Sequence, residues 1–324
     1  MGTVVLGTGS CLPQKVLTNS ELEKIVDTSD EWIRNRTGIE SRRIASGDEY
    51  TYRLATEAAR NALEMAKIEP AELDLIVVGT ITPHMLMPST ACFVQKELGA
   101  VNAFAWDLNA ACSGFLYGMD VADKYLRADP DKKILVIGAE TMSTRINWRD
   151  RGTCIIFGDG AGAAVFGHDD HNPGFIGSFL RSDGSLWGLL HMSAPKSLNA
   201  DLQLPGNGEA HIVMEGREVF RYAVKAQEDA VRCLLEREKI AIDEIDLVIP
   251  HQANSRIINK FKERLQLPED KIFINVSKYG NTSAASIPIA LDEACRGNRI
   301  KPGDLLLFCS FGGGCTWGAG LLKW

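Results

Sequence analysis

The sequence predicts an α/β layered fold built from two related halves, and three observations point there. Short apolar runs of strand length alternate with longer stretches of helical period. A stretch of the first half recurs 172 residues further on. Of 324 residues, 45% are hydrophobic and 24% charged, ordinary globular usage in a chain long enough to bury a large core without cross-links.

The chain opens on Thr3–Thr8, an apolar strand that Gly9 and Pro13 are expected to close. Buried strands are expected at Leu75–Val78, Ile134–Ile137, Ala163–Phe166, Leu247–Ile249 and Leu305–Phe308, each a nearly unbroken apolar run. A further strand-like segment ends near Leu108. The 3.6-residue period predicts helices over about 51–66, 89–98, 113–126, 217–238, 254–265 and 283–294.

Shifting the chain by 172 positions lays Ala58–Leu75 over Ala230–Leu247, and nine of these 18 positions are identical, from Ala58/Ala230 to Leu75/Leu247. Chance would give roughly one in twenty for typical composition. Each copy reads as a helix, a short acidic linker and a buried strand. Beyond it, 104–138 and 272–309 share the order strand, small-residue loop, helix, strand. The period is far longer than that of solenoid repeats. The expected halves are 1–170 and 171–324, meeting in the loop HDDHNPG. Under the shift Gly79 matches His251, so one copy carries a catalytic type of side chain where the other has none. A cleft between the halves is the expected place for a site.

The net charge of −7 argues against general nucleic-acid binding but leaves room for a local basic patch. Eight cysteines occur with no C-x-x-C pair, so zinc, dithiol and disulfide-scaffold readings lack their spacing, and a reducing cytoplasm is expected. The start MGTVVLGTGSCLP has neither the basic nor the apolar region of a signal peptide. Leu6 stands where myristoylation after Gly2 requires Ser or Thr. No run approaches 18 apolar residues, so no membrane span is expected.

Four places are suited to chemistry. Cys112, in DLNAACSGF, sits among small residues between a strand and a helix, where a helix N-terminus favours thiolate; the alternative is a buried structural cysteine. His251 opens HQAN directly after the strand IDLVIP, and strand C-termini of α/β sheets collect ligands; a satisfied structural histidine is the plain alternative. Asn281, in KYGNTSAAS, lies at another strand–turn–helix junction, where an N-cap is the competing role. FGGG at 311–314 can bring backbone N–H groups close to a ligand, as half of an oxyanion hole, or can be a tight turn. HDDH at 168–171 is a poor metal site, since four consecutive loop residues rarely close a coordination shell. GTGSCL and GDGAGA lack the third glycine of a dinucleotide fingerprint, and no Walker lysine is present.

Taken together, AACSGF, HQAN, GNTSAAS, DRGT with FGDGAGA at 150–163, and FGGGCTWG at 311–318 closely resemble the β-ketoacyl-acyl carrier protein synthase III family, in order and along the whole chain from DEWI and RTGI at 30–39. The resemblance implies the thiolase-like fold, two duplicated halves in an α-β-α-β-α sandwich, and a homodimer. It implies that Cys112 is acylated by an acyl-CoA primer, with the N–H groups of Cys112 and Gly313 as oxyanion hole. His251 and Asn281 would hydrogen-bond the thioester carbonyl of malonyl-acyl carrier protein, whose decarboxylation yields the attacking enolate, with no metal or other cofactor. Trp32, Arg36, Arg151, Thr28 and Asn254 match CoA-binding positions; indole stacks on a base and guanidinium pairs with phosphate. Arg256, extended by Lys260 one turn on, matches the carrier-protein contact. Met87, Phe157, Met214 and Phe311 match the primer pocket, Met87 reaching it from the partner subunit where many relatives have Phe. Arg217 stands where some relatives are neutral. Priming of a polyketide or quinolone pathway would use the same Cys-His-Asn set. A non-catalytic acyl-CoA binding module would not need all three residues. A degradative thiolase would need a second cysteine near the first, for which Cys309 and Cys315 are the candidates.

Overall fold

Side chains alternate across a strand, and here both faces of each apolar run are buried. In the computed structural model, which describes residues 2–199, 201 and 210–324, Leu75 and Val77 enter a central core while Ile76 and Val78 enter an outer one. Ile134 and Val136 divide from Leu135 and Ile137 in the same way. In the second half Leu247, Ile249, Leu306 and Phe308 reach the same central core from the other side, and Val248, Leu305 and Leu307 enter a third core.

Strands β1 (Gly2–Cys11), β2 (Leu75–Gly79), β3 (Phe104–Leu108), β4 (Ile134–Thr141) and β5 (Asp159–Asp169) form the first sheet in the order β1-β5-β4-β2-β3. Strands β6 (Phe175–Ser182), β7 (Leu247–Pro250), β8 (Leu305–Gly312) and β9 (Thr316–Lys323) form the second in the order β7-β8-β9-β6. The senses match: β2 and β4 are parallel, as are β7 and β8, while β5 and β9 run antiparallel to their neighbours. A lone parallel bridge from Val248 to Ile272 stands where β3 lies in the first sheet.

The helices of two turns or more among the described residues are α1 (Asp30–Thr37), α2 (Thr51–Ala66), α3 (Thr90–Leu98), α4 (Gly114–Ala128), α5 (Gly216–Glu238), α6 (Ser255–Leu265) and α7 (Ser286–Arg296). Helices α2 and α3 cover the outer face of the first sheet, α5 and α6 lie outside the second, and α4 and α7 fill the layer between. The result is the five-layer α-β-α-β-α sandwich. The repeat is visible at single residues. Helix α2 ends at Lys67 (φ 56) and α5 at Lys239 (φ 58), both left-handed. Asp74 accepts from the N–H of Lys133 at 2.8 Å, and Asp246 from that of Leu305 at 2.7 Å, each tying a loop to the start of the next strand.

Three expectations change. Strand β1 runs through Gly9 to Cys11. Gly9 is no breaker there: a Cβ would stand 2.3 Å from the Ala58 carbonyl, so the glycine admits α2. Strands β6 and β9 escaped the apolar pattern because glycines dilute it. In β9 a Cβ on Gly318 would lie 2.6 Å from Leu180, and one on Gly320 2.9 Å from Leu116. Helix α7 starts at Ser286 because 283–285 form a 3-10 turn with Ser283 at φ 51. Among the described residues no helix is long and apolar enough to cross a membrane.

Candidate active site

The strand ends of both sheets converge between the central helices. Cys112 lies in the 3-10 turn Ala111–Ser113, between β3 and α4. Two glycines allow this turn its depth. A Cβ on Gly312 would lie 2.6 Å from the Cys112 nitrogen, and one on Gly79 would lie 2.9 Å from the Gly114 carbonyl carbon. His251 follows β7, its N–H extending the ladder to the Cys309 carbonyl at 2.8 Å. Asn281 is held by a two-way backbone clasp: its N–H donates to Ile156 at 2.9 Å, and Gly158 donates to its carbonyl at 3.0 Å. Cys112, His251 and Asn281 are only 6%, 3% and 6% exposed. All three line one cavity of about 500 Å³.

Burial, the largest influence, pushes the Cys112 thiol from an ordinary 9.0 up to about 12. The Ser283 hydroxyl and the residue's own N–H favour the ionised sulfur, and Glu140 opposes it. This corrects the expectation of a thiolate held by the helix terminus. A helix N-terminus is worth about 0.3–1 kcal/mol, which moves a pKa by less than one. The sulfur therefore rests as a thiol and ionises in the course of attack.

Burial also drives His251 down to about 3, so its imidazole is neutral. Its Nδ1 lies 2.6 Å from the Ser286 hydroxyl, which accepts the Gln252 N–H at 3.2 Å. With Ser286 donating to Nδ1, the ring proton sits on Nε2, the tautomer that a donor role for His251 requires. Asn281 is not the N-cap of α7. Its Oδ1 accepts the Ser283 N–H at 2.8 Å, and Nδ2 is left to donate. The arrangement offers one nucleophilic sulfur and two neutral donors, suited to a developing negative charge on oxygen.

Cys112 also lines a second cavity of about 430 Å³, together with Gly313, Ile81, Met142 and Ile212. Phe157 and Leu190 border both cavities. Cys309 and Cys315, the thiolase candidates, line neither; Cys309 instead meets Gln227 and Cys315 the Leu186 carbonyl. At the mouth of the first cavity, α1 presents Trp32, with the guanidinium carbons of Arg36 and Arg151 at 5.5 and 4.9 Å from its ring. Asn254 caps α6 by accepting the Arg256 N–H at 2.8 Å and donates to the Arg36 carbonyl at 3.4 Å. Arg217 and Arg256 line the same cavity, so its rim is cationic although the chain is acidic. The Thr28 hydroxyl is buried and finds no partner among the described residues.

The family model for 3-oxoacyl-[acyl-carrier-protein (ACP)] synthase III matches residues 106–184, and the model for its C-terminal part matches 235–324. A β-ketoacyl-[acyl-carrier-protein] synthase III of Desulfotalea psychrophila is 57% identical over 324 residues, the whole of both chains. The chain belongs to the β-ketoacyl-acyl carrier protein synthase III family. The crystal structure of 3-oxoacyl-[acyl-carrier-protein] synthase III from Aquifex aeolicus VF5 superposes with a TM-score of 0.94 at 49% identity, covering all of both chains. The priming β-ketosynthase of the R1128 polyketide biosynthetic pathway superposes at 0.92 with 38% identity, covering 99% of this chain and 96% of that one. The protein is an acyl-transferring condensing enzyme of the initiating kind in fatty acid synthesis.

Other expected site residues of this synthase III family member are spread more widely. Met87, expected to act on the partner subunit's pocket, is 85% exposed on a surface loop and lines neither cavity of its own chain. Met214 and Phe311 line the first cavity with His251, not the second. Lys260 extends no free basic face, because Glu263 pairs with it at 2.6 Å. His168 of HDDH meets only Asp170, and among the described residues no group of three His, Cys, Asp or Glu side chains is placed to hold a metal. Sequence reasoning missed Ser286 and Glu140. Ser286 ends GNTSAAS and was readable as polar at a helix start; Glu140 was readable as a lone charge in the apolar run ILVIGAET.

Proposed function

We propose that the enzyme condenses an acyl-CoA primer with malonyl-acyl carrier protein to give 3-ketoacyl-acyl carrier protein, CoA and CO₂, by a ping-pong route through acyl-Cys112. The observation that carries this is the shared cavity of Cys112, His251 and Asn281, with His251 neutral and its Nδ1 engaged by Ser286. The Cys112 sulfur attacks the primer carbonyl as it loses its proton, and the oxyanion is received by the N–H groups of Cys112 and Gly313. The C–S bond to CoA breaks, and CoA leaves with the proton. Malonyl-acyl carrier protein then enters. Its C–C bond to the carboxylate breaks, CO₂ departs, and the electron pair becomes an enolate whose oxygen is held by His251 Nε2–H and the Asn281 amide. The enolate carbon attacks the acyl carbon, and Cys112 is expelled as thiolate and takes a proton from solvent to replace the one that left with CoA. Two neutral donors suffice for this charge, and no metal or other cofactor enters the scheme.

In this reading Trp32, Arg36, Arg151, Thr28 and Asn254 hold CoA, Arg217 borders the same cavity, and Arg256 meets the acidic carrier protein. The second cavity, with Phe157 at its border, takes the primer chain. We place the protein in the cytoplasm as a homodimer, apart from nucleic acid and membrane, with a nucleophile half at 1–170 and a His-Asn half at 171–324. The 82% and 85% exposure of Leu86 and Met87 favours a partner over that loop. A polyketide-priming role, that of the R1128 ketosynthase at 38% identity, is the second reading, and the 57% and 49% identities to synthase III relatives favour the first. Intact-mass detection of acylated protein against a panel of acyl-CoAs tests the scheme. One acyl adduct on the wild type and none on Cys112→Ser is expected; an undiminished adduct on Cys112→Ser rejects Cys112 as nucleophile. The primer length that loads best separates the two roles.

A further inference from the structure

The catalytic scheme has no task for Glu140, a fully buried carboxylate at the end of β4. It receives the hydroxyls of Thr80 at 3.2 Å and Thr82 at 2.5 Å, and the N–H groups of Ile81 at 3.2 Å and Thr82 at 3.1 Å. One more donor comes from the other half of the molecule: the Ser283 hydroxyl, at 3.0 Å. A buried carboxylate satisfied by neutral donors alone is a costly choice for mere filling.

We infer that Glu140 is a positioning residue for Asn281: it anchors the Ser283 hydroxyl, and Ser283 in turn fixes which way the Asn281 carboxamide points. Ser283 sits in a left-handed conformation at φ 51 and donates its N–H to Asn281 Oδ1 at 2.8 Å. The amide oxygen is thereby occupied, and the NH₂ is the end that faces the enolate. A flipped amide would set oxygen against oxygen, repelling the charge it should stabilise. The inference rests on the proposed role of Asn281 in malonyl decarboxylation.

The duplicated fold supplies an internal comparison. Under the shift of 172, Asn281 and Ser283 match Asn109 and Ala111, and the strand position matching Glu140 is Gly312. Ala111 adopts the same turn at φ 47. With neither hydroxyl nor carboxylate to anchor it, its N–H reaches Asn109 Oδ1 only at 3.4 Å. The tight bond is found in the copy that has the anchor.

The test measures the two half-reactions separately on the full chain: acyl loading of Cys112 from acyl-CoA by intact mass, and CO₂ release from malonyl-acyl carrier protein. Ser283→Ala is the main variant, because Ala111 shows that this turn accepts alanine; Glu140→Gln is the second. We expect CO₂ release to fall roughly 10-fold in both, short of the ~10²–10³ for losing an oxyanion donor outright, and loading to fall clearly less, although Ser283 also faces the Cys112 thiol. Because Ser283 acts through Asn281, Ser283→Ala should cost nothing further in an Asn281→Ala background. Equal losses in loading and CO₂ release would show that Ser283 serves the thiol it also faces, and would overturn the inference. Additive losses with Asn281→Ala would overturn it as well. A wild type that loads Cys112 yet releases no CO₂ rejects the proposed function itself, and this inference with it; an active wild type with unsplit variants rejects this inference alone.

Discussion

At the scale of single residues, the site is governed by burial. Cys112 is held as a thiol and His251 as a neutral ring, although a helix terminus and a strand end favour charge by themselves. The histidine has a measurable consequence. Its unfolded value near 6.5 falls to about 3 in the fold, so between those limits the unfolded chain binds a proton that the native site refuses. Stability from this group is full above 6.5 and declines as pH falls toward 3. Glu140, raised from 4.5 to about 7, acts with opposite sign: its contribution is full below 4.5 and lost as pH rises through 7. It is present in wild type and His251→Asn alike and cancels in their difference. Thermal unfolding at pH 7 and pH 5 should therefore show a larger acid-induced loss of Tm in the wild type. An equal loss in the two proteins would mean that His251 is not buried as a neutral base.

At the scale of elements, the site is made where strands stop and helices begin. The 3-10 turn with Cys112 is pressed onto the end of β8, where Gly312 leaves no room for a Cβ. Gly312→Ala would place that carbon 2.6 Å from a backbone nitrogen, which cannot rotate away as a side chain can. We expect a loss of about 1–3 kcal/mol in urea unfolding, typical of overpacking, and a drop of more than about tenfold in acyl loading as the sulfur and its N–H are displaced. Unchanged loading would show that the turn is loose.

At the scale of the whole molecule, two copies of one layered unit enclose the site between them, and the copies have diverged where they meet it. His251 matches Gly79, and Gly312 matches Glu140. Each exchange places a functional side chain in one copy and clears space in the other. Among the described residues Met85, Leu86 and Met87 form a run of exposed apolar side chains on one loop. If the proposed homodimer is built on this loop, Met87→Asp combined with Leu86→Asp should shift sedimentation from dimer to monomer; unchanged sedimentation would put this loop outside any interface.

Much was determined by the sequence alone. The repeat was legible because equal caps and acidic linkers need equal residues, as Lys67 and Lys239 or Asp74 and Asp246 show. Cys112, His251 and Asn281 were legible because strand-end junctions carry short, distinctive strings. Strands β6 and β9 were not, because glycines required by distant neighbours such as Leu180 and Leu116 blur the local pattern. Only the tertiary structure decided the raised Cys112 thiol, the contact of His251 Nδ1 with Ser286, the pairing of Lys260 with Glu263 and the link from Glu140 through Ser283 to Asn281. Local periodicity and capping depend on near neighbours in the chain. Protonation and amide orientation depend on desolvation and on donors brought from as far as 143 positions away, which no window of sequence contains.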